Sequence, residues 1–110
     1  MQYIISPKHK LIIKWGLLIK ELDINTISEV IFFPTRIYQG IRLDGLRLPG
    51  YSVGLFDLKV NEKDEKINMF ATNFKSLVII KVQKEQKIKY YGITPSKPEI
   101  FVKELNNRIL

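Results

Sequence analysis

Apolar and polar residues alternate with a period of two over most of the chain, the pattern of strands with one buried and one wet face. Tyr3-Ile4-Ile5 predicts a short strand, Ser6-Pro7-Lys8-His9-Lys10 a turn, and Leu11-Ile12-Ile13-Lys14-Trp15 a second strand. Gly16 suggests a bulge or a close backbone approach before Leu17-Leu18-Ile19. Asp23-Ile24-Asn25-Thr26 is turn chemistry, and Ile27 to Phe33 reads as a strand stopped by Pro34. Thr26 and Glu29 also fit a capping box, so a short helix competes there. Gly40, Gly45, Gly50 and Gly54, with Pro49, predict a glycine-punctuated structural loop with unusual backbone angles. Strands follow at Leu55 to Val60 and Lys66 to Thr72, separated by the charged turn Asn61 to Glu65. Leu77 to Val82 and Lys87 to Tyr91 flank Lys84-Glu85-Gln86 as a hairpin, with Ile88 and Tyr90 on the presumed core face. Lys87, Lys89 and Tyr91 then share the other face.

The period changes at the tail. Ser96 offers an N-cap and Glu99, three residues on, closes a capping box around Pro98. Phe101, Leu105 and Ile109, with Ile100 beside them, form an apolar stripe at helical spacing. The expectation is a single domain over 1–110, with strands at about 3–93 and a helix at about 97–109. Many short strands and one late helix predict a mainly β fold, a small barrel or bent sandwich closed at one end by that helix.

Composition narrows the chemistry. The 110 residues contain no cysteine, which excludes disulfides, thiolate metal sites and thiol catalysis. The single histidine, His9, lies between two lysines in a turn and makes a poor start for a metal site or for acid–base work. No apolar run approaches the length of a membrane-spanning helix. Nor does the start resemble a signal peptide, so a cytoplasmic setting, including the inner face of the membrane, is expected. The net charge of +7 is uneven: residues 1–20 carry four lysines and no acid, and residues 67–97 carry six lysines against Glu85. Such segments suit phosphates or anionic lipid, and they equally suit the solvent edges of strands.

The catalytic motifs fail on their surroundings. Gly50-Tyr51-Ser52-Val53-Gly54 has the pattern of a hydrolase nucleophile elbow, but a strand follows and no histidine does. Gly45 to Gly50 opens like a phosphate-binding loop, yet Tyr51 stands where lysine is needed. Arg36, Arg42 and Arg47 surround Asp44 and are most simply braces for the loop. Trp15, Tyr90 and Tyr91 near lysines could stack bases, although no RNA-binding signature is present.

From Arg36 onward the order of features resembles the bacterial pleckstrin-homology-like domains. The residues that carry the likeness are Arg36-Ile37-Tyr38-Gln39-Gly40, Leu48-Pro49-Gly50-Tyr51 with Gly54-Leu55-Phe56, and Met69-Phe70-Ala71-Thr72. Leu77-Val78-Ile79-Ile80 and Gly92-Ile93-Thr94-Pro95-Ser96-Lys97-Pro98-Glu99-Ile100-Phe101-Val102 continue it, and residues 3–33 fit as the opening strands. The resemblance implies a bent barrel of about seven antiparallel strands capped by the helix, with no established catalytic residue and no cofactor or metal. Eukaryotic relatives bind phosphoinositides through a lysine followed, about a dozen residues later, by two basic residues flanking one other. Lys75, Lys87 and Lys89 have that spacing, in a late hairpin rather than the first.

The expected function is therefore a non-enzymatic binding or scaffolding module for a protein partner or an anionic membrane surface. Lys8, Lys10 and Lys14 are the first candidates for an anionic contact, at ~1 kcal/mol each near a charged bilayer, with Lys75, Lys87 and Lys89 as the alternative set. The competing class is a single-stranded nucleic-acid binder using Trp15 and the basic hairpin. A homo-oligomer is compatible with every one of these readings.

Overall fold

The computed structural model describes residues 2–32, 41–48, 51–60, 63–71 and 77–109. Three strands, β1 (Gln2–Ser6), β2 (Lys10–Trp15) and β3 (Leu18–Asp23), form a small antiparallel sheet in that order. A 3-10 turn at Ile24–Thr26 leads out of it. The second sheet has six strands: β4 (Ile27–Phe32), β5 (Ile41–Leu48), β6 (Tyr51–Val60), β7 (Lys63–Ala71), β8 (Val78–Lys84) and β9 (Lys87–Ile93). Across that sheet the order is β4-β8-β9-β7-β6-β5. The chain ends in one helix, α1 (Pro98–Ile109).

The mainly β fold with one C-terminal helix is the one the sequence predicts. The strands differ in number and pairing from the expected seven antiparallel ones: nine are described, β7 and β9 run parallel, and β4 and β5 remain as the two edges of an unclosed sheet. Residue alternation reports which side chains share a face and carries no information about which strands become neighbours.

Four local expectations need correction. Residues 41–48 and 51–54 are paired strand rather than loop, the latter extending the strand expected from Leu55 to Val60, with Gly45 directly opposite Gly54 and a register shift between Arg42 and Asp44. Gly54 has a φ of 128°, which glycine alone adopts easily, so the glycines shape a strand pair instead of replacing it. Gly40, Pro49, Gly50 and Arg36 lie outside the described residues. Lys63 to Glu65, read as turn, belong to β7. The helix weighed at Thr26 gives way to the 3-10 turn, where the Asp23 carboxylate accepts the Asn25 N–H at 3.0 Å. Gly16 makes no close backbone approach; with φ +58° it turns β2 into β3 in open space.

Two apolar clusters occupy the two faces of the six-stranded sheet. Val78, Ile80, Tyr91 and Ile93 pack against Leu11, Ile13 and Leu22 of the small sheet and Leu105 of α1. Leu77, Ile79, Phe56, Ile67, Met69 and Ala71 form the other cluster, with Ile31. The unbroken run Leu77-Val78-Ile79-Ile80 follows from this, since β8 is buried on both faces. Gly92 sits where β9 crosses the second cluster: a Cβ there would lie 2.6 Å from Met69 Sδ and 3.2 Å from Ile67 Cγ2. Gly92→Ala is expected to cost about 1–3 kcal/mol through overpacking. Denaturant unfolding checks this, and a Gly92→Ala/Met69→Val double variant should lose less than the sum of the singles.

At the helix start the Phe101 N–H donates to the Lys97 carbonyl at 3.0 Å. Lys97 therefore occupies the cap position and Pro98 the first helical one, which suits proline's fixed φ. Ser96 lies one residue outside, displaced from the cap expected for it, and Glu99 sits in the first turn. The buried stripe is Phe101, Val102, Leu105 and Ile109, whereas Ile100 is 62% exposed.

Candidate anion-binding cleft

The face of the large sheet that packs on the small one changes character along its length. Cross-strand pairing sets Ile80 beside Tyr91, Val82 beside Lys89 and Lys84 beside Lys87, so these six side chains share one face. At the Tyr91 end that face is core, and Tyr91 is 5% exposed. Toward the hairpin tip it turns into three exposed lysines. The sequence had the grouping of Lys87, Lys89 and Tyr91 right but put the wrong face inward: Tyr91 is buried, Ile88 is 49% exposed, and Tyr90 only flanks the second cluster.

A cleft of about 600 Å³ opens where the lysine face meets β3. Lys84, Lys87 and Lys89 form one wall, Val82 and Tyr91 part of the floor, and Lys10 and Lys20 reach in from the small sheet. The Lys20 ammonium stands 5.7 Å from the centre of the Tyr91 ring, a cation–π contact that ties β3 to β9. Glu21, Asp23 and Glu85 also line the cleft, leaving five cations against three carboxylates. Lys84 and Lys87 face each other directly across the tip, and two like charges so placed repel. Glu85 between them has a φ of 57°, so a non-glycine residue takes the left-handed position of the turn.

The two candidate lysine sets are therefore partly merged and partly dispersed. Lys10 from the first set and Lys87 and Lys89 from the second line one cleft. Lys8 is exposed in the turn before β2, its N–H donating to Ser6 Oγ at 3.1 Å, and does not line it. Lys14 lies four residues beyond Lys10 on the same strand, about 13 Å away, beside Gln2 and Ile19. Lys75 lies outside the described residues. Sequence reasoning missed Lys20 and Lys84. Lys84 was legible, because any tight hairpin through Glu85-Gln86 must set it opposite Lys87; Lys20 was not, because its partner is in another sheet.

A second surface feature adjoins the cleft. Leu17, Leu18 and Ile19 at the β2–β3 tip are 101%, 58% and 62% exposed. Ser52 of the elbow-like pattern lies within β6 between Arg47 and Ala71, not on a strand-to-helix turn. His9 stands in the turn before β2 with φ 64°, its N–H donating to the Ser6 carbonyl at 3.1 Å. Among the described residues no helix is long and apolar enough to cross a membrane.

A six-stranded sheet, a second small sheet packed on one of its faces, and a C-terminal helix against the core between them define the class: a small β-rich domain. The family model of the bacterial PH domain matches residues 1–109, and the chain belongs to that family. PH domains are generally non-catalytic binding modules. No curated protein and no solved structure matches the chain.

Proposed function

We propose that this chain is a non-enzymatic binding module that holds an acidic protein partner in the cleft between its two sheets. The observation that carries the reading is the convergence of Lys10, Lys20, Lys84, Lys87 and Lys89, from four strands, on one open concavity. Holding Lys84 opposite Lys87 costs the free domain some repulsion, which an anion seated there relieves. Single-stranded nucleic acid has less support, because Tyr91 is buried beneath Lys20 and offers no open ring face to a base.

The test is the binding of a fluorescent glutamate-rich peptide at low and high salt. Lys87→Glu/Lys89→Glu is expected to weaken it by about tenfold or more, with affinity falling as salt rises. Lys63→Glu/Lys66→Glu makes the same charge change at exposed positions on β7 and should matter far less. Equal losses in the two variants, or no binding at low salt, would overturn the reading.

The apolar β2–β3 tip favours a second reading, in which the domain docks on an anionic membrane with Leu17 and Ile19 at the acyl boundary and Lys14 near the headgroups. Co-sedimentation with phosphatidylserine vesicles tests it. Leu17→Ser, a neutral change in the turn outside β3 and outside the cleft lining, should reduce sedimentation sharply while leaving peptide binding unchanged.

A further inference from the structure

We infer that the partner binds as an added β-strand along the open edge of β3, with alternate acidic side chains directed onto the lysine wall. This rests on the cleft being the binding site, as proposed above. The observation is a contrast in how the two sides contribute residues. From β8 and β9 the cleft takes alternate positions, Val82 and Lys84, then Lys87, Lys89 and Tyr91, as expected for one face of a sheet. From β3 it takes four consecutive residues, Lys20, Glu21, Leu22 and Asp23. Consecutive side chains point to opposite faces, so a cleft that touches all four meets the strand at its edge, where the backbone polar groups are.

Among the described residues that edge is free to pair by topology, because β3 is the outer strand of the small sheet. The register shows which groups point outward. Trp15 and Leu18 bracket the two-residue turn and form a hydrogen-bonded pair, so Lys20 with Ile13 and Leu22 with Leu11 do as well. The N–H and C=O of Ile19 and Glu21 therefore point away from β2, toward the cleft. The N–H of Asp23 does too, while its carbonyl already accepts the Thr26 hydroxyl at 2.6 Å.

A strand laid there continues the plane of the small sheet over the face of β8 and β9. At a sheet-to-sheet spacing of about 10 Å, every second side chain of the added strand meets Lys84, Lys87 or Lys89. Backbone pairing supplies affinity, and the lysine row selects carboxylates at alternate positions.

The probe is a labelled peptide of about ten residues alternating glutamate and threonine, long enough to span the edge. Two substitutions of one residue separate strand addition from charge attraction alone. Glu21→Ala removes a repelling carboxylate and should tighten binding about twofold to fivefold. Glu21→Pro removes the same carboxylate together with an outward N–H, leaves the β2 ladder intact, and is tolerated on an edge strand. It should weaken binding at least about tenfold relative to Glu21→Ala. Far-UV circular dichroism and the melting temperature confirm that both variants are folded, and the amide protons of Ile19 and Glu21 should gain exchange protection when the peptide is added. Equal affinity in the two variants, with Lys87→Glu/Lys89→Glu still deleterious, would overturn strand addition and leave the acidic-partner reading standing. No binding of the peptide at low salt would overturn both, and vesicle binding in its place would assign the lysines to a membrane.

Discussion

Leu105→Ala is expected to destabilise the domain by about 3–5 kcal/mol, near the upper end for a buried leucine. Leu105 is 0% exposed and is the one α1 residue among the fully buried side chains described. It belongs to one buried cluster with Leu11 and Ile13 from the small sheet, Val78 and Ile80 from the large one, and Ile24 and Ile27 at the junction, and α1 itself packs on β4 and the 3-10 turn. Truncation opens a cavity in that shared core, which relaxes only partly. The helix is only twelve residues long and marginal by itself, so it is held by this packing. Arg108 adds a tie at its far end, donating to the Ser6 carbonyl at 3.2 Å. Urea denaturation measures the loss, and Ile100→Ala, on the wet side of the same helix, should stay within about 0.5 kcal/mol. Equal effects would mean that the helix is not docked through Leu105.

Tyr3→Phe is expected to cost about 2–4 kcal/mol, although it removes a single oxygen. The Tyr3 hydroxyl donates to the Phe70 carbonyl at 2.6 Å and accepts the Thr94 amide N–H at 3.1 Å. It thereby joins the first strand of the small sheet to the ends of β7 and β9 in the large one. Phenylalanine leaves both backbone groups without that partner in a part-buried setting, while the ring keeps its edge contact with Phe101 at 6.4 Å. The loss is thus one of hydrogen bonding rather than packing. Burial pushes the Tyr3 hydroxyl above its ordinary value of 10, with the Thr94 hydrogen bonds partly opposing. A raised folded-state pKa favours the neutral form, so this contribution is complete below the unfolded value and fades as pH climbs through the alkaline range. Stability should therefore fall above about pH 10 in the parent, and less steeply in Tyr3→Phe. Some slope should persist, because Tyr90 is raised as well, by burial first and then by the carboxylates of Glu65 and Glu29. Identical alkaline slopes in parent and variant would remove Tyr3 from this account.

Much of the fold was legible because local rules sufficed. The two-residue turn at Glu85-Gln86 pairs strands that adjoin in sequence, so alternation and turn chemistry place them, whereas the turn at Gly16-Leu17 reads in the sequence as a bulge. The change of period after Thr94 marks the helix for the same reason. β5 and the start of β6 escaped notice because glycine lowers strand propensity, and only the pairing shows Gly45 facing Gly54. The cap moved from Ser96 to Lys97 because Pro98 suits the first helical position better than the second. Of the site, the hairpin lysines could be read as a group, whereas their meeting with Lys10 and Lys20 could not.

By itself, then, the order of residues determined the strand-rich character, the terminal helix, the absence of thiol chemistry and the clustering of positive charge, since each depends on neighbours within a few positions. Tertiary structure alone decided that β9 lies beside β7, that Tyr91 rather than Ile88 is buried, and that lysines more than sixty residues apart share one cleft with an open strand edge. The physical reason is that which face of a sheet is covered depends on the surface that packs against it, and here that surface comes from the opposite end of the chain.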